Sequence, residues 1–377
     1  MRQSPFSPGA SALAWLLLAA ACGDSDPAMN TVDAASQQPA SDGGQETDGA
    51  PGGGASADGG GAVAAGDVCG WAAASGDGVA TTTGGGDAKP STVTSADELL
   101  TLAADPEPRV IQIQGVLDVP NLEVASNKTI IGLGPDSGIN GGIRIRGASL
   151  AERVTNVIVR NLRVNAATAL TESNAVASDG IQIYRAHHVW IDHCEVFDAP
   201  DGNLDVVHGS DNVTISWTVF HYTAAAPQAE HRFSNLIGHT DGNEEEDQGR
   251  LRVTFHHDWW SDGVVERMPR VRWGHVHALN NLYTAAGNNY CIAAAFNGKL
   301  VVENNAFAGV SDPNILKDPA DPTGGLTAFG NQYDGTTGPE NGNLGAAVPP
   351  LPDAYVACPT DPASSVAELV MAGAGPQ

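Results

Sequence analysis

The chain has 377 residues, room for one large domain with a tail or for two ordinary ones. Its 18 Lys and Arg face 44 Asp and Glu, a formal net charge of −26 at pH 7, and a chain this acidic is excluded as a nucleic-acid binder, which needs a basic face to neutralise phosphates. An acidic polymer is not excluded by the same argument, because a local arginine cluster or a bridging cation can act inside an acidic surface.

Residues 1–21 read as an export signal: Arg2, an apolar run from Ala12 to Ala21, and small residues before Cys22. The run is too short to span a membrane comfortably. Ala19-Ala20-Ala21-Cys22 resembles a bacterial lipoprotein processing site, which makes Cys22 the expected lipidation site and leaves an ordinary cleaved signal as the alternative. Residues 22–66 are Gly, Ala, Ser, Asp and Gln with almost no large apolar side chain, and they hold seven acids and no Lys or Arg. Such a stretch buries too little surface to offset the entropy of ordering, so it is expected to be a linker. Without its acids and Arg2 the remainder, a single domain over residues 67–377, still carries about −20. Besides Cys22, four cysteines remain: Cys69, Cys194, Cys291 and Cys358. In an exported chain they are disulfide candidates with three possible pairings, and their wide spacing argues against a zinc site.

Ser95 followed by Glu98, Leu99, Leu100 and Leu102 predicts a capped helix over 95–104. From about residue 110 the pattern changes to short phrases of period 2, rich in Val, Ile and Thr, separated by Gly, Asp, Asn and Ser. Their valines Val157, Val189, Val213, Val253, Val276 and Val301 are 32, 24, 40, 23 and 25 residues apart. Periods in the twenties with two longer gaps predict a solenoid with loop insertions. The expected fold is all-β, a right-handed parallel β-helix (solenoid) whose N-terminal end is covered by the short helix. An antiparallel β-sandwich competes, but two-residue hairpin signals are scarce. Asn161, Asn281 and Asn305 follow strands, where stacked amides would bond from coil to coil.

Two groups of residues carry chemistry. Asp179 precedes the strand at 181–184, and Asp201 and Asp205 flank the next turn. Neighbouring coils lie about 4.8 Å apart, so acids distant in sequence converge, and converging carboxylates call for a cation such as Ca²⁺. Solvated turn acids are the competing reading. The second group is Arg267-Met268-Pro269-Arg270-Val271-Arg272, in which Arg270 and Arg272 share a face and suit carboxylate binding. Pairing with the protein's own acids is the alternative there.

Val189-Trp190-Ile191-Asp192-His193 resembles the vWiDH signature of the polysaccharide lyase family 1 pectate lyases. Val253-Thr254-Phe255-His256-His257 with Arg267–Arg272 resembles that family's second signature, and Ser126–Gly132 and Gly70-Trp71-Ala72 fit its early motifs. The resemblance covers roughly residues 69–335. It implies a Ca²⁺-dependent pectate lyase that cleaves homogalacturonan by β-elimination, with Asp179, Asp201 and Asp205 as Ca²⁺ ligands. It makes Arg267 the catalytic base and Arg272 a binder of substrate carboxylate. A guanidinium ordinarily holds its proton, so such a base predicts activity that rises with pH. A carboxylate-binding lysine expected five residues before Gly238 is absent: Phe233 stands there, beside Arg232 and His231. Either Arg232 takes the role after a one-residue bulge, or substrate geometry differs. An acid expected two residues before Asp179 is missing too, since Ala177 is there.

Trp190, Asp192 and His193 are expected to be structural and to face away from the cleft. The histidine pairs His187-His188 and His256-His257 are expected to point to opposite faces, as alternating strand residues do, and so to make poor zinc chelates. A pectin lyase acting on methyl-esterified polymer, a polygalacturonase and a non-catalytic glycan-binding surface protein are the competing functions. The partner is an acidic plant cell-wall polysaccharide, met by a monomer that is secreted or anchored at the outer surface.

Overall fold

The computed structural model describes residues 68–169, 178–228, 230–320 and 323–377. The expected signal (1–21), linker (22–66) and lipidation site (Cys22) lie outside the described residues.

Each turn of the chain contributes short strands that pair in parallel with the strands one turn before and one turn after. A first sheet runs through Ile181–Tyr184, Leu204–Val207, Leu236–Ile237, Arg270–Val271, Ile292–Ala294 and Asn314–Leu316. A second runs from Ser91–Val93 through Val154–Arg160, Ala186–Asp192, Asp211–Ser216, Arg252–His256, His275–Leu279 and Lys299–Glu303. A third runs from Arg163–Asn165 through Glu195–Phe197, Val219–His221, Trp259–Trp260, Leu282–Tyr283 and Ala306–Ala308. The long strand Gly138–Arg146 belongs to both the first and the third. Among the described strands only the last pair, Gly325–Phe329 with Gly342–Gly345, is antiparallel. This is a parallel β-helix, and the sandwich alternative falls.

The repeat seen in the sequence is the ladder of the second sheet. Val157 pairs with Val189, Val189 with Val213, Val213 with Val253, and Val253 with Val276. The last step is corrected by one residue: Val276 faces Leu300, because Leu300 and Val302 belong to the core while Val301 lies beside His277. At the N-terminal end the helix Ala96–Ala104 begins after Ser95, whose Oγ accepts the Glu98 N–H at 3.4 Å, and its Leu99 and Ala103 close the core.

Inside the coil, like stacks on like. Phe220, Trp260, Tyr283, Phe307 and Tyr333 form one column with successive ring centroids 5.6, 4.7, 4.3 and 5.0 Å apart. At the corner between the second and third sheets, Asp258 N–H bonds Asn281 Oδ1 at 2.9 Å. Asn281 N–H bonds Asn305 Oδ1, and Asn305 N–H bonds Asn331 Oδ1, both at 2.8 Å. Asn161 is not in this ladder. Each corner uses two residues, the first at positive φ and the second turned inward; Asn161 (φ 54°) is a first residue, like Asn280 and Asn304, and Leu162 takes the inward place. The Asn161 amide instead donates to Gly132 O at 2.9 Å and to Gln377 O at 3.1 Å.

Of the three possible cystine pairings, one bridge is present: Cys69 to Cys358, joining residues 289 apart, while Cys194 and Cys291 are buried thiols.

Candidate active site

The outer face of the first sheet gathers the charged residues singled out above. Its ladder places Arg144 beside Gln182 and Gln182 beside Asp205, then Leu236 beside Arg270. Asp179, just before Ile181–Tyr184, is buried; its Oδ1 accepts the Gly202 N–H at 3.1 Å and its Oδ2 accepts from Gln182 Nε2 at 2.9 Å. Asp205, also buried, accepts the Leu236 N–H at 2.9 Å. Each acid is thus tied to the backbone of the next coil. Gly202 lets them approach, since a Cβ there would lie 2.5 Å from Asp205 Oδ1. Asp201 is more exposed, and His231 Nε2 sits 2.7 Å from its Oδ1.

These carboxylates oppose one another. Burial and then the charge of Asp201 push Asp179 up to about 6, against Arg144 and the two hydrogen bonds. Asp205 is raised well above the usual carboxylate range by burial and by the charges of Asp179 and Asp201, with Arg267 pulling the other way. Arg144 was missed in the sequence. It is buried, and its Nη1 donates to Asp179 O and Ile143 O, both at 2.9 Å. Its signal was the alternation Ile143-Arg144-Ile145-Arg146, which puts both arginines on the outer face once Ile143 and Ile145 are aligned with Ile181 and Ile183.

Arg267 sits on a bulge. Phe233 bridges to Glu266 and Leu236 pairs with Arg270, so two residues on one coil face three on the next. The extra residue takes φ 64° at Arg267, and the Met268–Pro269 peptide is cis. Bulges re-aim side chains in this way beside functional sites. The Arg267 side chain is buried, its guanidinium carbon lies 4.4 Å from the centre of the Phe233 ring, and its charge acts on Asp205. Arg270 and Arg272 do share the outward face, with Val271 in the core between them. Arg272 Nε donates to the exposed Asp241 at 2.7 Å. Three acids and an arginine from three coils therefore stand on one face of one sheet.

A family model described as pectate lyase matches residues 54–351. The chain belongs to the pectate lyase family. Pectate lyase E of Dickeya chrysanthemi is 34% identical over 247 residues, 54% of this chain and 58% of that protein. A probable pectate lyase B of Aspergillus terreus is 33% identical over 244 residues, covering 62% of this chain and 67% of its own. The chain thus spans little more than half the length of the Dickeya relative. Among solved structures, a pectate lyase from Xanthomonas campestris superposes with a TM-score of 0.65 at 22% identity, over 82% of this chain and 98% of that one, and shows the same fold.

Within this pectate lyase framework, the departure at Phe233 is resolved by register. Gly202 pairs with Phe233 and Val206 with Ile237, a constant offset, so no bulge brings Arg232 into the slot. Arg232 Nη2 instead reaches Thr223 O at 3.5 Å. The vWiDH residues lie on the second sheet, away from the acids: Asp192 binds Ser216 Oγ at 2.6 Å, Arg160 Nε at 2.8 Å and His193 Nδ1 at 2.8 Å, and Trp190 Nε1 donates to the same Ser216 at 2.9 Å.

The expectation that paired histidines diverge is overturned. His187 Nδ1 and His188 Nδ1 are 2.8 Å apart, and those of His256 and His257 are 3.1 Å apart. His188 and His257 have positive φ, which breaks strand alternation and turns both rings to one side. Among the described residues, the trio of His, Cys, Asp or Glu side chains with ligand atoms within 4.8 Å of one another is Cys69, His256 and Cys358, whose sulfurs are joined in the disulfide. The three acids stand wider than that.

Proposed function

We propose that this chain is a Ca²⁺-dependent pectate lyase that cleaves homogalacturonan by β-elimination, leaving a 4,5-unsaturated uronide. The observation that carries the reading is the buried guanidinium of Arg267, re-aimed by its bulge, on the same face as two buried acids whose charges oppose each other.

The donor set fits Ca²⁺. It is all carboxylate oxygen, and at bond lengths of about 2.3–2.6 Å opposed ligands of Ca²⁺ stand about 5 Å apart, wider than zinc allows. Asp179, Asp201 and Asp205 would hold the ion, which when bound draws charge from a substrate carboxylate and makes the adjoining C5 proton more acidic. Arg272 takes a substrate carboxylate in bidentate fashion once Asp241, which is exposed, yields its place. Arg267, in its neutral form, takes the C5 proton and becomes the guanidinium, the electron pair forms the C4–C5 double bond, and the C4 oxygen leaves with the departing chain. Export, with a lipid anchor at Cys22, belongs to the same reading and is supported by the leader pattern of residues 1–22.

The deciding experiment follows the ultraviolet absorbance of unsaturated product from polygalacturonate. Turnover should vanish with a chelator and return with Ca²⁺. Equal rates with and without chelator would point instead to a pectin lyase, and reducing ends without ultraviolet absorbance to a hydrolase.

A further inference from the structure

Phe233 has no part in the reading above, yet it is the side chain the structure sets against the proposed base. Its ring centre is 4.4 Å from the Arg267 guanidinium carbon, inside the range of a cation–π contact. The contact is built by register: Gly202, Phe233 and Glu266 bridge in one line across three coils, and Arg267 follows Glu266 as the bulged residue. The ring is itself fixed. His231 lies 4.1 Å from it centre to centre, and the Phe233 carbonyl accepts the buried Tyr222 hydroxyl at 2.7 Å. Arg267 Nε is buried with no hydrogen-bond partner among the described residues. A guanidinium left without that anchor is free to swing about its terminal torsions unless something flat lies against it.

We infer that Phe233 is a positioning residue for Arg267, an aromatic platform that fixes the plane of the guanidinium and leaves its N–H edge turned to the substrate. This rests on the lyase reading for its kinetic consequence but not for the contact itself. A hydrogen-bonding acceptor in the same place would hold Arg267 by occupying the nitrogens needed for proton transfer; a π face holds the plane without taking an N–H. The ring has no group that could exchange a proton or pair with a carboxylate, so its loss should act on kcat more than on substrate binding.

The test compares Phe233→Leu with Phe233→Tyr and Phe233→Trp. With Leu, kcat on polygalacturonate should fall about ten- to a hundredfold while KM moves less than about threefold, the mark of a misaligned group. Tyr and Trp keep a π face and should restore most of kcat. Independently of turnover, the Arg267 Nε–Hε resonance, assigned by its loss in Arg267→Lys, should be shifted by the ring current in the unaltered protein, in Tyr and in Trp, and should move toward the unshifted position in Leu. Thermal midpoints show whether each variant is folded. The inference is overturned if folded Phe233→Leu keeps kcat within about twofold, if Leu, Tyr and Trp lose activity alike, or if the Arg267 resonance is unshifted in the unaltered protein. A protein with no lyase turnover that shows the ring-shifted resonance, lost only in Leu, would sink the lyase reading and uphold the platform.

Discussion

At the corner between the second and third sheets, stacking brings together groups that satisfy one another. Asp258, Asn281, Asn305 and Asn331 pass a hydrogen bond from each coil to the next, and burial pushes the Asp258 carboxyl at the start of the run well above its usual range. On the outer face of the first sheet, the same stacking sets like charges together. Asp179 is raised by burial and by Asp201, Asp205 by burial and by Asp179 and Asp201, and Arg267 is held on a bulge with a buried Nε that has no partner among the described residues. One repeat thus yields a consistent ladder and a frustrated cleft. Local rules are kept where the coil only has to stand, and broken where a site is assembled.

The comparison breaks most sharply at Arg267. Arg267→Ala should lower lyase turnover by at least about 10³-fold, roughly 4 kcal/mol of barrier, while the unfolding midpoint changes little. A large loss of stability with activity retained would make Arg267 a member of the scaffold.

The reverse behaviour is expected at the ladder. Asn281→Ala removes the acceptor for Asp258 N–H and the donor to Phe255 O (3.0 Å) and leaves buried backbone groups unpaired. It should cost about 2–3 kcal/mol in urea unfolding with kcat unchanged.

A smaller effect separates the cleft acid Asp179 from Asp192, on the second sheet, by the sign of their pH dependence. Asp179 has a folded pKa of about 6 against an ordinary 3.8. The stability linked to its proton is therefore full below pH 3.8 and lost as pH rises through about 6. Asp192 lies the other way. Burial alone would raise it, but the hydrogen bond and charge of His193, with Arg160 and Ser216, leave it below 3.8. Its stabilisation is present above 3.8 and lost as pH falls through the depressed value. In chelator, thermal midpoints against pH should show Asp179→Asn removing the decline on the rising side, worth about 1–2 kcal/mol, and Asp192→Asn removing the acid-side fall. The same sign for both variants would mean that the two acids do not differ in kind.

Much was legible in the chain because a solenoid is nearly one-dimensional: each coil repeats the last, so the period, the helix at 96–104 and the order of the motifs announce the architecture without any long-range fold. Asp179, Asp201 and Asp205 were nameable as turn acids set to converge from neighbouring coils, and Arg267 and Arg272 through the resemblance of their motif to that of the family. What tertiary structure decided is where the backbone leaves its regular path or closes over a long distance. Positive φ at Asn161, His188 and His257 redirected side chains that alternation had assigned elsewhere. The Cys69–Cys358 bridge spans 289 residues that no local pattern relates. Register excluded the bulge at Arg232 and created one at Arg267, which is what brings the Phe233 ring against the guanidinium. Period and residue type are properties of a segment; which atoms touch depends on the sum of every turn between them, and a single residue gained or lost in that sum moves a side chain to another face.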